Sequence, residues 1–94
     1  MPSVTRKGDL SSGHGSFSPV ALSTGSPNVF VNGLPCGRQS DSYPTHSDGE
    51  TSHSGFISGG SSTVFINNKP IARVGDSISC GGTVSQGSQN VNAN

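Results

Sequence analysis

Only 28% of this 94-residue chain is hydrophobic and only 11% is charged. A domain of this size with so few apolar residues has a thin core, and hydrophobic burial alone will not hold it. Five basic and five acidic residues leave no net charge, which removes the electrostatic footprint of a protein that grips nucleic acid or an anionic membrane through phosphates. No apolar run approaches the roughly 20 residues needed to span a bilayer, and Met1 to Leu10 lacks the apolar stretch of a signal peptide. The chain is therefore expected to be made in the cytoplasm and to leave the cell, if it leaves, by another route. The two cysteines, Cys36 and Cys80, are too few and too differently placed to suggest a disulfide framework. No segment of 10 or more residues combines helical periodicity with a cap, so almost no helix is expected.

What is abundant is Ser, with 14 Gly and 6 Pro. Such a composition suits either a disordered low-complexity segment or a tightly turning β structure, and ordered patterning decides for the second. A shift of 35 residues lays Val29, Phe30, Val31, Asn32, Pro35, Arg38 and Asp41 over Val64, Phe65, Ile66, Asn67, Pro70, Arg73 and Asp76. A shift of 27 lays His53, Gly55, Ser58, Gly60, Ser61 and Val64 over Cys80, Gly82, Ser85, Gly87, Ser88 and Val91. Arg-x-x-Asp occurs three times, at Arg6–Asp9, Arg38–Asp41 and Arg73–Asp76. The reading is one all-β domain over residues 1–94, a small compact body of short strands and hairpins with pseudo-threefold arrangement, in units of about 1–24, 25–59 and 60–94.

Each full unit reads as Gly-Ser, a short strand (Asn28 to Asn32, Thr63 to Asn67), a tight turn at Asn32-Gly33 or Asn67-Asn68, and a second strand carrying Pro-x-x-Arg. Asn-Gly between β-prone runs signals a hairpin, because both central residues of a type I′ turn need positive φ. Pro35 and Pro70 lack a donor and belong at edges or bends. Residues 15–24 and 47–52 read as loops between units. The aspartates of Arg-x-x-Asp read as turn caps with the arginines laid over them, a structural role.

The histidines follow the repeat. His14 lies five residues after Asp9, His46 five after Asp41 and Cys80 four after Asp76, while His53 precedes Gly60 by the seven residues that separate Cys80 from Gly87. A single histidine in a Gly/Ser-rich loop is usually just solvated, but these occupy the junctions between units, which converge at one end of a threefold body. Three imidazoles and a thiolate make a closed tetrahedral set that suits Zn²⁺, bound at about 2.0 to 2.3 Å. Such an ion would supply stability that a sparse core cannot. Ligand type narrows the metal without choosing between zinc and iron. Cys36 falls where the next unit has Ile71 and reads as a small buried apolar side chain. No serine is singled out as a nucleophile held beside a base, and a catalytic zinc keeps an open position that four protein ligands would close. The expected role is non-enzymatic; a small zinc-dependent hydrolase is the alternative.

Lys69-Pro70-Ile71-Ala72-Arg73-Val74-Gly75-Asp76 resembles the PAAR-repeat family, named for Pro-Ala-Ala-Arg, and Pro35-Cys36-Gly37-Arg38 is a more degenerate copy. Gly37, Ile71, Ser40 in place of the usual Gly before Asp, and a first unit without its Pro are departures. The resemblance implies a β-rich cone that caps the blunt tip of a trimeric β-helical spike, one copy per trimer. That spike is either the VgrG protein of type VI secretion or the central spike of a contractile phage tail. It implies a structural zinc on His14, His46, His53 and Cys80, transient contact with the target membrane, and delivery outside the cell as part of a secretion spike or virion. Some relatives carry toxin extensions; ending at Asn94, this chain is expected to carry none, so any effector would ride non-covalently.

Overall fold

Two asparagine turns start the body. In the computed structural model, which describes residues 1–13, 18–47 and 52–94, Asn32 and Gly33 have φ of 54° and 79°, and Asn67 and Asn68 of 54° and 65°. These are the positive values a two-residue I′ connection demands. They close the hairpins β1 (Phe30–Val31) with β2 (Leu34–Pro35), and β5 (Phe65–Ile66) with β6 (Lys69–Pro70). β1 and β5 are two residues long, shorter than the runs the sequence suggested. Pro35 and Pro70 sit in two-stranded sheets, where the missing donor costs no ladder bond on a second side.

A third hairpin of the same kind is built from the two ends of the chain. Ser3 bridges Asn92, and the Ala93 N–H donates to the Pro2 carbonyl at 3.0 Å. The N–H groups of Val4, Cys36 and Ile71 then donate to Val91, Val29 and Val64 in matching fashion. The incomplete third copy at the C-terminus is thus completed by residues from the N-terminus.

The three units close on one another through a triangle of backbone hydrogen bonds. Thr5 donates to Ala72 at 3.1 Å, Ala72 to Gly37 at 3.0 Å and Gly37 to Thr5 at 2.9 Å. Gly37 replaces the motif alanine for a physical reason visible here: a Cβ at that position would stand 2.7 Å from Thr5 Cγ2 and 3.0 Å from Leu22 Cδ2. The methyl that one unit lacks is supplied by the threonine of the next.

Two small clusters lie either side of the triangle. One holds Val4, Val31, Cys36, Ile71 and Ala93; the other holds Leu22, Tyr43, Ile57, Ala72, Ile78 and Val84. In the second, Leu22, Ile57 and Val84 are equivalent, each donating its N–H to the repeat aspartate's carbonyl at 2.9 Å. Full burial of each contributes about 1.5–3 kcal/mol. The next layer is uneven: Ser11, Tyr43 and Ile78, each two residues past its aspartate, combine one small and two large side chains. Beneath the hairpins, buried Ser26, Ser61 and Ser88 each accept the N–H groups two and three residues on, as serine turns do. Ser26 and Ser88 also donate to Asn67 and Asn32 of another hairpin at 2.7 and 2.6 Å.

The longest strands are β3 (Ser42–Ser47) and β4 (Ser52–Phe56), antiparallel, with a register shift between Tyr43 and His46. This corrects the expectation of a loop over 47–52, since Ser47 and Ser52 pair within the ladder. Residues 48–51 of that expected loop, and 15–17 of the one expected over 15–24 together with position 14, lie outside the described residues. Among the described residues there is no helix.

Candidate functional site

The three Arg-x-x-Asp segments are structural. Each is a turn in which the Asp N–H donates to the Arg carbonyl at 2.9, 3.0 and 3.0 Å. The third residue has positive φ, 96° at Gly8, 80° at Ser40 and 95° at Gly75, as a type II turn requires. One carboxylate oxygen accepts the Arg backbone N–H and Nε–H, and the other accepts Nη2–H. The hydrogen bond to aspartate is the main force raising the pKa of each guanidinium. Arg6 and Arg38 spend a further N–H on Asn32 and Asn67, tying turn to hairpin. These aspartates are committed to their arginines.

Past the aspartates the units diverge. His14 lies outside the described residues, and of His46 and His53 only the backbone is described. That backbone pairs position 46 of β3 directly with position 53 of β4, a register that holds two Cα atoms about 4.5–5.5 Å apart. Two residues along β4, at the same parity as position 53, is Gly55. A Cβ there would stand 3.0 Å from Cys80 Sγ, so the missing side chain forms the cradle in which the Cys80 sulfur rests. The fold therefore brings Cys80, half-buried, to the hairpin that carries both His46 and His53. Among the described residues no three His, Cys, Asp or Glu side chains gather into a metal-holding group.

Cys36 is the opposite case. It is fully buried, and burial together with the charge of Asp41 pushes its thiol up to about 11, so it stays protonated and apolar. Both cysteines are free. Two buried hydroxyls, Thr5 Oγ1 and Tyr43 Oη, have no hydrogen-bond partner among the described residues. Tyr43 pairs with Gly55 across the β3–β4 ladder, and it was not singled out in the sequence because only the register shows what it faces.

At the other end, several hairpin side chains point outward. Phe30 and Phe65, at equivalent positions, are 56% and 57% exposed, and Leu34 beside them is 40% exposed. The third equivalent position is Asn92. A groove of about 660 Å³ is lined by residues of all three units, Arg6, Asp9, Asn32, Gln86 and Asn90 among others. Its charged groups already bind one another or Asn32, and its lining contains no histidine or cysteine.

The fold and its three ion-paired turns define a closed, threefold-repeating all-β body. A family model described as the PAAR motif matches residues 7–86, and the chain belongs to that family. The PAAR motif is associated with spike-tip proteins of type VI secretion, a structural family whose members generally sit on VgrG-type spikes. Comparison with curated proteins gave no match.

Proposed function

We propose that this protein is the metal-hardened tip of a contractile injection machine, seated one copy per trimer on a β-helical spike, with a structural zinc on His14, His46, His53 and Cys80. Family membership over most of the chain carries this reading. The metal set is supported by the cross-strand pairing of 46 with 53 and by the Gly55 cradle that seats Cys80 Sγ on the same strand. Imidazole nitrogen and thiolate sulfur are the donors that zinc prefers. The ion would tie the divergent segments of the three units together where the backbone triangle does not reach.

The spike-facing end, on this reading, is the one with the three hairpins. Phe30, Leu34 and Phe65 offer apolar surface there, and a pseudo-threefold face suits a threefold partner whose exposed strand ends would otherwise aggregate. The protein is made in the cytoplasm and leaves as part of the spike. Its work is to transmit the thrust of the contracting sheath to the target envelope, and any effector it carries is held non-covalently.

Co-purification with a trimeric spike, followed by mass measurement of the complex, tests the seating. One copy per trimer is expected, and three copies would refute it. Metal analysis tests the vertex: the purified protein should hold one zinc per chain, and His53→Ala should lower metal content and melting temperature together.

A further inference from the structure

The three corners of the hairpin end are not alike, and they differ in how firmly each holds an exposed side chain. At the first corner the Asn32 turn is clasped to residues of the other units. Asn32 Oδ1 accepts from Ser88 Oγ at 2.6 Å and from Arg6 Nη1 at 3.0 Å, and its Nδ2 donates to Asn90 Oδ1 at 2.9 Å. At the second corner Asn67 Oδ1 accepts from Ser26 Oγ at 2.7 Å and from Arg38 Nη1 at 3.2 Å, and its Nδ2 donates to Asn28 Oδ1 at 2.9 Å. Two residues before each clasped asparagine stands a phenylalanine, Phe30 or Phe65, more than half exposed. The third corner has Asn92 in that place. There Arg73 Nη1, the counterpart of the Arg6 and Arg38 donors, bonds to nothing among the described residues, and the guanidinium is held by Asp76 alone.

Single apolar side chains scattered over a surface are ordinary, but Phe30 and Phe65 repeat one position of one motif, each beside the same clasp. Aromatic side chains on rigid supports are the usual anchors of protein interfaces, because little freedom is left for them to lose on binding. We infer that Phe30 and Phe65 are the two anchors by which this protein seats. Each enters one of three symmetry-related apolar sockets at the end of a trimeric spike, and the third socket faces Asn92. This rests on the spike reading proposed above. A trimer is the fitting occupant because positions related by a pseudo-threefold repeat meet identical surfaces only on a threefold partner.

Calorimetric titration of the full chain against the trimeric spike protein with which it co-purifies tests this. Phe56→Ser is the control, because Phe56 is 49% exposed but lies on β4, beyond the aspartates. Phe30→Ser and Phe65→Ser should each weaken binding by about 30-fold, to a similar extent, and leave the melting temperature of the free protein unchanged. Phe56→Ser should bind as the wild type does. Asn92→Phe should tighten binding by about tenfold, since it offers the third socket a matching side chain. Wild-type affinity in both Phe30→Ser and Phe65→Ser would overturn the anchors and leave the spike reading to another face. An Asn92→Phe chain that binds no better would overturn the three equal sockets. Free protein that sediments as a dimer, and as a monomer after Phe65→Ser, would overturn the proposal by showing that a second copy covers these side chains. A wild-type chain that binds no trimeric spike would overturn both readings.

Discussion

The hairpin-bearing half of the molecule and the half beyond the aspartates solve the same problem differently. In the first, each unit repeats the same serine turn, valine ladder and arginine–aspartate turn, and a triangle of main-chain bonds joins them. Here the backbone does the holding, so the side chains can be small. In the second half the equivalents stop matching. Ser11, Tyr43 and Ile78 share one layer, and among the described residues only the middle unit extends into a long hairpin. Symmetry supplies many weak bonds cheaply where it lasts; where it ends, something else must join unlike segments.

The comparison breaks most sharply if the proposed metal is removed. A ligand present at 1,000 times its dissociation constant stabilises by about 4 kcal/mol, so chelation should lower the melting temperature of a chain this size by about 15–30 °C. Hydrogen exchange should show β3 and β4 losing protection first while the amides of Thr5, Gly37 and Ala72 keep theirs. Equal loss in both halves would mean that the two are not separately held. Next in size is Asp41→Ala. It strips Arg38 of its partner in the most buried of the three ion pairs, where the side chains are 13% and 4% exposed, and it leaves a backbone N–H without its acceptor. A loss of about 3 kcal/mol is expected by denaturant titration.

Gly37→Ala probes the triangle itself and should cost about 2 kcal/mol through overpacking. Thr5→Ala in the same chain should recover part of that, because the two residues compete for one methyl's volume. A double-mutant cycle without coupling would contradict this. The smallest effect has the opposite sign. Ser40 holds φ of 80° where the other two turns have glycine, so Ser40→Gly should raise stability by about 1 kcal/mol, read as a shift in denaturation midpoint.

Much of the symmetric half was legible in the sequence because its signals are local. Asn-Gly and Asn-Asn carry the positive φ of their own turns, Arg-x-x-Asp contains both partners of its ion pair, and Cys36 declared itself by standing in register with Ile71. What was missed depends on residues far apart. The third hairpin joins Ser3 to Asn92, a pairing that no window along the chain contains. The serine turns were visible as Gly-Ser, but not the donation from Ser26 and Ser88 to asparagines of another unit. The β3–β4 hairpin was hidden because Pro44 interrupts one strand and Ser-His-Ser-Gly makes most of the other, residues with little strand preference. Asp48-Gly49 between them was the available hairpin signal. The repeat register pointed to all four proposed ligands, His14, His46, His53 and Cys80; the backbone brings Cys80 to the hairpin that carries positions 46 and 53, and His14 lies outside the described residues.

The triangle has a mechanical corollary. Its three bonds run head to tail in one rotational sense, so every unit gives one and receives one. A blow along the axis that tried to splay any one unit would have to stretch the links on both sides of it, and through them the remaining link. In the spike-tip role proposed above, the stress of impact would be carried round the girdle like tension in a barrel hoop, with no single unit peeled away alone.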